Sequence, residues 1–379
     1  LMLKNGTILR MKTIHYLLLT LLIGVCTLGI IFSRNGVIDT RMDTQIYVGQ
    51  INFYEGKLTE DTQSRLRSFK PFYGVIGASL SDVMTAEQAI ATINIVFYFG
   101  LLICSFYFLR ELGFKDKFAM IGSAWIGTGY PVLKYGLALL TDISGWFFAL
   151  ATITIFLMGL RKQNSYFLIL ASLVGFLGSL CKETGVLGLA FAGVYLVLLF
   201  IFTKKGVHIK NLVKVILPFL LLEAIFLYIL FQKNGGTSFL DWFLFNKQTV
   251  PTEYHSFYYF FFTELSTFSL LWLYALYTGY VVVFTKKITA TKHNYILGSS
   301  LLIATLPVLV WPMFLSRVLY IGYLSIIPCA LAGLAVWSFY NHTKVKTFYI
   351  LSVLPVVASV SLFILAGGGS LFDMLKKLF

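Results

Sequence analysis

Charge is scarce in this chain. Only 12% of its 379 residues are Asp, Glu, Lys or Arg, about half the share of a soluble domain. With 58% of residues hydrophobic and a mean hydropathy of +0.83, a water-soluble fold of this size could not hide its apolar surface. A soluble enzyme and a disordered tail are therefore excluded. Cysteine is scarce too. Cys26, Cys104, Cys181 and Cys329 lie in or at the ends of apolar stretches without paired spacing, which excludes a secreted disulfide scaffold and offers no zinc set. The five histidines show no HxxxH or CxxC context, so a bound metal has no positive support, though it is not excluded, and no cofactor is assigned.

What the chain has instead is long apolar runs. About 220 apolar side chains would fill about eleven crossing helices at roughly 20 residues each. The expected fold class is an all-α polytopic membrane protein with no soluble domain. A first run over 14–32 follows Lys4, Arg10 and Lys12. It lacks a small-residue cleavage pattern and reads as a retained first helix. A polar stretch over 33–87 comes next, with one short apolar segment at 72–80. Further spans are expected near 88–109, 118–133, 142–160, 166–181, 184–203, 213–232, 257–284, 294–315, 318–340 and 348–366. The organisation is one transmembrane domain over 1–366, with 33–87 as its first outer loop. Residues 367–379 form a short amphipathic tail.

The net charge of +14 tests that layout. With the N-terminus inside and loops alternating, the inner segments hold seventeen of the thirty basic residues against two acids, Glu111 and Asp116. The outer side balances thirteen bases with thirteen acids. The whole excess is then the positive-inside signature, and nucleic acid is not needed to explain it. Function is to be sought on the outer side, where charges sit beside or within apolar sequence.

The first outer loop carries Asp43, Tyr47, Gln50 and Tyr54 at i, i+4, i+7 and i+11, one face of a helix. With Ile46 and Phe53 off that face, the pattern suits an interfacial helix presenting a carboxylate among hydroxyl and amide groups. Asp43 has two readings, a helix cap or a catalytic acid. Arg65, Arg67 and Lys70 precede Pro71 and an apolar piece too short to cross, which suits either a lipid phosphate or plain headgroup anchoring. Asp142 in LTDISGW is a helix cap or a site acid. Lys182 and Glu183 in SLCKETG stand between two apolar runs with almost no loop. Such charges are costly near hydrocarbon unless they pair or serve a site. Glu253 and His255, beside an aromatic run, read as an interfacial belt or a sugar grip. Arg317 either snorkels to headgroups or forks onto phosphate. Glu223, inside LLLEAIF, carries no assigned role.

In this order the elements resemble the GT-C superfamily of integral membrane glycosyltransferases, of the protein O-mannosyltransferase and aminoarabinose-transferase type. The likeness lies in Asp43 and Tyr47; Lys70, Pro71, Phe72 and Tyr73; Thr141 and Asp142; Lys182, Glu183 and Gly185; then Arg317, Tyr320 and Pro328. It implies transfer of a sugar from a polyprenyl-phosphate donor to a glycan, lipid or protein acceptor, on the extracytoplasmic face of an inner or plasma membrane. Asp43 would be the general base, with Asp142, Tyr47 and Glu183 supporting the site. Lys182 and Arg317, with Arg65, Arg67 and Lys70, would hold the donor phosphate. Relatives often have two adjacent acids in the first loop, whereas Thr44 follows Asp43 here, which weakens a metal-dependent reading. Competing readings are a polysaccharide polymerase, which usually has its large outer loop late in the chain, and a flippase for lipid-linked sugars. A flippase is expected to show repeats and midplane charges.

Overall fold

The computed structural model describes residues 2–35, 44–57, 69–233, 236, 268–285, 292–309, 322–340 and 344–365. Among them the secondary structure is helical, with no strand. The helices are α1 (Met2–Asn35), α2 (Thr44–Tyr54), α3 (Phe72–Ser79), α4 (Ala86–Glu111), α5 (Asp116–Gly127), α6 (Asp142–Lys162), α7 (Ser165–Cys181), α8 (Leu187–Thr203), α9 (Val207–Lys233), α10 (Leu271–Tyr280), α11 (Lys292–Leu309), α12 (Gly322–Tyr340) and α13 (Val345–Leu365). Six stretches among the described residues are long and apolar enough to cross a membrane: Thr13–Phe32, Ala86–Glu111, Asp142–Lys162, Glu183–Thr203, Val207–Lys233 and Val345–Leu365. Ser165–Cys181, Leu271–Phe284 and Ile326–Phe339 are shorter apolar helices. The chain is a multi-pass membrane protein, with six full-length and three shorter candidates described against an expectation of about eleven.

Local signals set the helix ends. Thr85 and Gln88 form a reciprocal capping box at the start of α4, which satisfies two of the amides a helix start leaves open. Gln163 ends α6 with φ 52°, and Asn164 caps α7 by accepting from the Tyr166 amide at 2.9 Å. That two-residue break folds α6 and α7 into an antiparallel pair. In α9, Pro218 lacks an amide to donate, and the next residue, Phe219, gives its amide to Ser172 Oγ on α7 at 2.8 Å.

The span expected near 118–133 takes a different form. Helix α5 has twelve residues, about 18 Å, too short for a hydrocarbon core of about 30 Å. The chain then continues inside the bundle as a π-helical turn, Val132–Gly136, and irregular backbone up to Thr141. Nearly all of it is buried, including Tyr130, Leu133, Leu139 and Leu140. Irregular backbone inside a membrane bundle needs partners from the protein, and three side-chain bonds supply them. Asn94 Nδ2 of α4 donates to the Ala138 and Leu140 carbonyls at 2.7 and 2.9 Å. Thr44 Oγ1 of α2 donates to the Leu139 carbonyl at 3.1 Å.

Helices α4, α5 and α6 are the best-buried part of the bundle, with α6 between α4 and α7. Helices α10, α12 and α13 attach through α5. Trp125 stacks on Tyr274 at 5.8 Å and donates Nε1 to the Ser352 carbonyl at 2.8 Å. The two ends of the bundle differ. At one end Arg110 pairs with Asp116 at 2.8 Å, Arg161 pairs with Glu111 at 2.8 Å, and Thr13 donates to Asp116 at 2.7 Å. The α2–α3 pair and the start of α6 lie at the other.

Candidate active site

At that second end, α2 lies inward. Tyr47, Gln50 and Ile51 are buried while Tyr54 is 38% exposed. The polar face expected from the sequence therefore turns into the bundle, except at Tyr54. Thr141 Oγ1 donates to Tyr47 OH at 2.9 Å, and Gln50 Nε2 donates to the Lys70 carbonyl at 3.0 Å. Helix α3 follows Pro71 and buries Tyr73, whose hydroxyl donates to Asn94 Oδ1 at 2.6 Å. Burial pushes the Tyr73 phenol well above its ordinary pKa. A hydrogen bond with Ser144 opposes the rise, and nearby Cys181, Tyr47 and Asp142 add to it. Tyr73 therefore stays protonated and keeps donating. Asn94 is the hub, giving both amide hydrogens to the irregular segment and accepting from α3.

Asp142 is the first residue of α6 and is 2% exposed. Thr141, not Asp142, occupies the N-cap, and its side chain makes no cap bond. Asp142 therefore lies in the positive field of the helix start without serving as the cap. Lys182 Nζ stands 3.5 Å from Asp142 Oδ1. The other oxygen, Oδ2, is fully buried and has no hydrogen-bond partner among the described residues, an arrangement that costs about 1–3 kcal/mol or more for a charged group. It is an acceptor without a donor.

Lys182 is placed by glycines. It follows α7 in extended backbone, and the 3-10 turn Glu183–Val186 comes next. A Cβ on Gly185 would meet the Gly178 carbonyl oxygen at 2.5 Å, and one on Gly145 would meet Thr184 Oγ1 and Lys182. Only glycine lets the turn press against α6 and α7 this closely. Glu183 heads the turn and is exposed. Lys70 Nζ donates to the Ser179 carbonyl at 2.7 Å, and Ser179 Oγ donates to Glu223 Oε2 at 2.7 Å. Glu223 is thus tied to α7 across the α7–α9 seam.

Of the residues singled out from sequence, the fold gathers Tyr47, Lys70, Asp142 and Lys182 and leaves Glu183 at the edge. Asp43, Arg65, Arg67, Glu253, His255 and Arg317 lie outside the described residues. Sequence reasoning missed Asn94, Thr44 and Ser179. Asn94 had a signal, as an amide inside the apolar run AIATINIVFYFG. Thr44 and Ser179 had none. Among the described residues no three His, Cys, Asp or Glu side chains gather as a metal set. The acid at the centre, Asp142, faces a lysine ammonium, so the described residues do not fit a divalent ion.

No protein-family model matches the chain, and no curated protein matches its sequence. Solved structures do match. The oligosaccharyltransferase of Archaeoglobus fulgidus, in complex with Zn and sulfate, aligns at a TM-score of 0.60 and 13% identity, over 92% of this chain and 52% of that one. The chain shares the fold of that protein over this length. The archaeal oligosaccharyltransferase AglB from the same organism, in complex with an inhibitory peptide and a dolichol-phosphate, aligns at 0.58 and 13% identity, over 93% and 55%. The form tethered to an acceptor peptide containing the NVT sequon aligns at 0.56 and 13% identity, over 92% and 54%. The chain spans about half the length of these proteins, and at such identity the likeness is one of GT-C fold.

Proposed function

We propose that this chain is a glycosyltransferase that moves a sugar from a polyprenyl-phosphate donor to an acceptor on the extracytoplasmic face of an inner or plasma membrane, with its N-terminus in the cytoplasm. The observation that carries the reading is Asp142. It is a buried carboxylate with one oxygen beside Lys182 and the other without a donor, at the end of a GT-C bundle opposite the Arg110 and Arg161 ion pairs. A buried acceptor of this kind suits a substrate hydroxyl.

The chemistry follows from the residue types. An acceptor hydroxyl is a weak nucleophile, and a carboxylate base takes its proton as the bond to the anomeric carbon forms. Asp43 is assigned that role. It directly precedes Thr44 in the chain, the residue whose hydroxyl ties α2 to the Leu139 carbonyl. Asp142 and Tyr47 orient the acceptor, with Glu183 at the rim. As the carbon–oxygen bond to phosphate breaks with inversion, the leaving polyprenyl phosphate needs cations rather than an acid. Lys182 and Lys70 supply them, with Arg65, Arg67 and Arg317. Glu253 and His255 are assigned to the sugar. AglB was solved with a dolichol-phosphate, which supports a lipid-phosphate donor for a chain sharing its fold.

The test is turnover. Purified chain receives a panel of labelled polyprenyl-phosphate sugars with an envelope extract as acceptor, alongside Asp43→Asn and Asp142→Asn. Transfer from one donor that both variants lose by about 100-fold or more is expected. Lipid binding without turnover of any donor would instead favour a flippase of lipid-linked sugars.

A further inference from the structure

Lys134 is a buried lysine that the site described above does not use. It lies in the π-helical turn Val132–Gly136 and is 6% exposed, between Val132 at 3% and Leu137 at 4%. Its Nζ stands 5.5 Å from the Tyr130 ring and 5.2 Å from the Tyr135 ring. Among the described residues, no ion pair or hydrogen bond of this ammonium accompanies the ring contacts. Lys182 and Lys70, both half-buried near the site, are different. Lys182 faces Asp142, and Lys70 donates a hydrogen bond to the Ser179 carbonyl.

A cation inside a membrane bundle pays for leaving water, and two ring faces recover only part of that loss. Among the described residues the arrangement lacks an anion. The surrounding backbone is also of the kind found at sites: a π turn leading into irregular chain whose Ala138, Leu139 and Leu140 carbonyls are held by Asn94 and Thr44. The turn lies against the start of α6, because a Cβ on Gly136 would meet Trp146 at 3.0 Å and Ile143 at 3.3 Å. Asp142 is one residue before Ile143. Lys134 therefore belongs to the substrate end of the bundle, on a different element from Lys182.

We infer that Lys134 is an anion-binding residue that receives a phosphate oxygen of a membrane lipid entering the bundle. The phosphate chemistry follows from an ammonium with aromatic rings and no acid beside it among the described residues. The choice of polyprenyl phosphate as the lipid rests on the glycosyltransferase reading.

The test is binding, measured on the full chain in detergent with four probes: polyprenyl phosphate, uncharged polyprenol, phosphatidic acid and inorganic phosphate. Lys134→Gln is expected to weaken polyprenyl phosphate about tenfold or more and to leave polyprenol unchanged, whereas Lys134→Arg stays within about threefold of wild type. Because Lys134→Gln alters a packed turn, the wild-type chain is also treated with acetic anhydride. Polyprenyl phosphate is expected to lower Lys134 acetylation relative to polyprenol. Equal acetylation with both lipids, or polyprenyl phosphate binding to a folded Lys134→Gln within about twofold of wild type, overturns the inference. Lys134-dependent binding of phosphatidic acid or inorganic phosphate as tight as that of polyprenyl phosphate supports the anion site while removing its link to the donor. Lys134-dependent binding with no sugar turnover from any donor supports the anion site and rejects the glycosyltransferase reading.

Discussion

The two ends of the bundle handle charge in opposite ways. At one end, Arg110, Glu111, Asp116 and Arg161 pair directly, and the Arg161 side chain is 64% exposed. Glu111 is the most enclosed of the four, at 6%, but each charge there has an opposite charge beside it, which keeps the cost of leaving water low. At the other end Asp142 is 2% exposed and keeps an oxygen without a donor, and Lys134 is 6% exposed with aromatic rings, rather than an acid, beside it among the described residues. The same residue types are therefore inexpensive at one end and costly at the other. Cost without an internal partner is what a binding site looks like before its ligand arrives.

The comparison can be broken from either side. The largest effect is expected at the buried end. Asp142→Asn should reduce sugar transfer about 100-fold or more while the chain stays folded, although Lys182 then faces a neutral amide; loss of transfer only in proportion to lost folded protein would mark Asp142 as a structural residue. Asn94→Leu removes the donor to two carbonyls and the acceptor for Tyr73. Unfolding in detergent should show a loss of about 2–4 kcal/mol. Gly185→Ala drives a methyl into the Gly178 backbone. A loss of about 1–3 kcal/mol is expected, and transfer should fall with it as Lys182 shifts from Asp142. An unchanged melting curve would show that the turn has room.

Smaller effects belong to the helix ends and the ion-paired end. Thr85→Ala opens the capping box of α4 and should cost about 1 kcal/mol without touching transfer. A double-mutant cycle on Arg161 and Glu111 should return about 0.2–1 kcal/mol, falling with added salt. A coupling several-fold larger would erase the contrast between the ends.

Much of this architecture is legible in the residue pattern. The apolar runs specify a helical membrane bundle, and the inward turn of α2 follows the Tyr47 and Gln50 spacing. Asp142, Lys182 and Gly185 stand out as charges and a small residue at breaks between apolar runs. The stretch 128–141 does not, because the apolar run over 118–133 reads as one crossing helix that ends in a short loop before Asp142. It leaves the helix because Asn94 and Thr44, distant in sequence, capture its carbonyls, and a local pattern cannot report a partner 46 or 95 residues away.

Sequence alone determined the solvent this protein folds in, since that depends on a sum over many residues. Only the tertiary structure decided which charges are buried, that Asp142 meets Lys182, and that Lys134 meets rings rather than an acid among the described residues. Burial and pairing are properties of the space between helices, set by glycine contacts and by single hydrogen bonds between residues far apart in the chain, and no sum over residue types contains them.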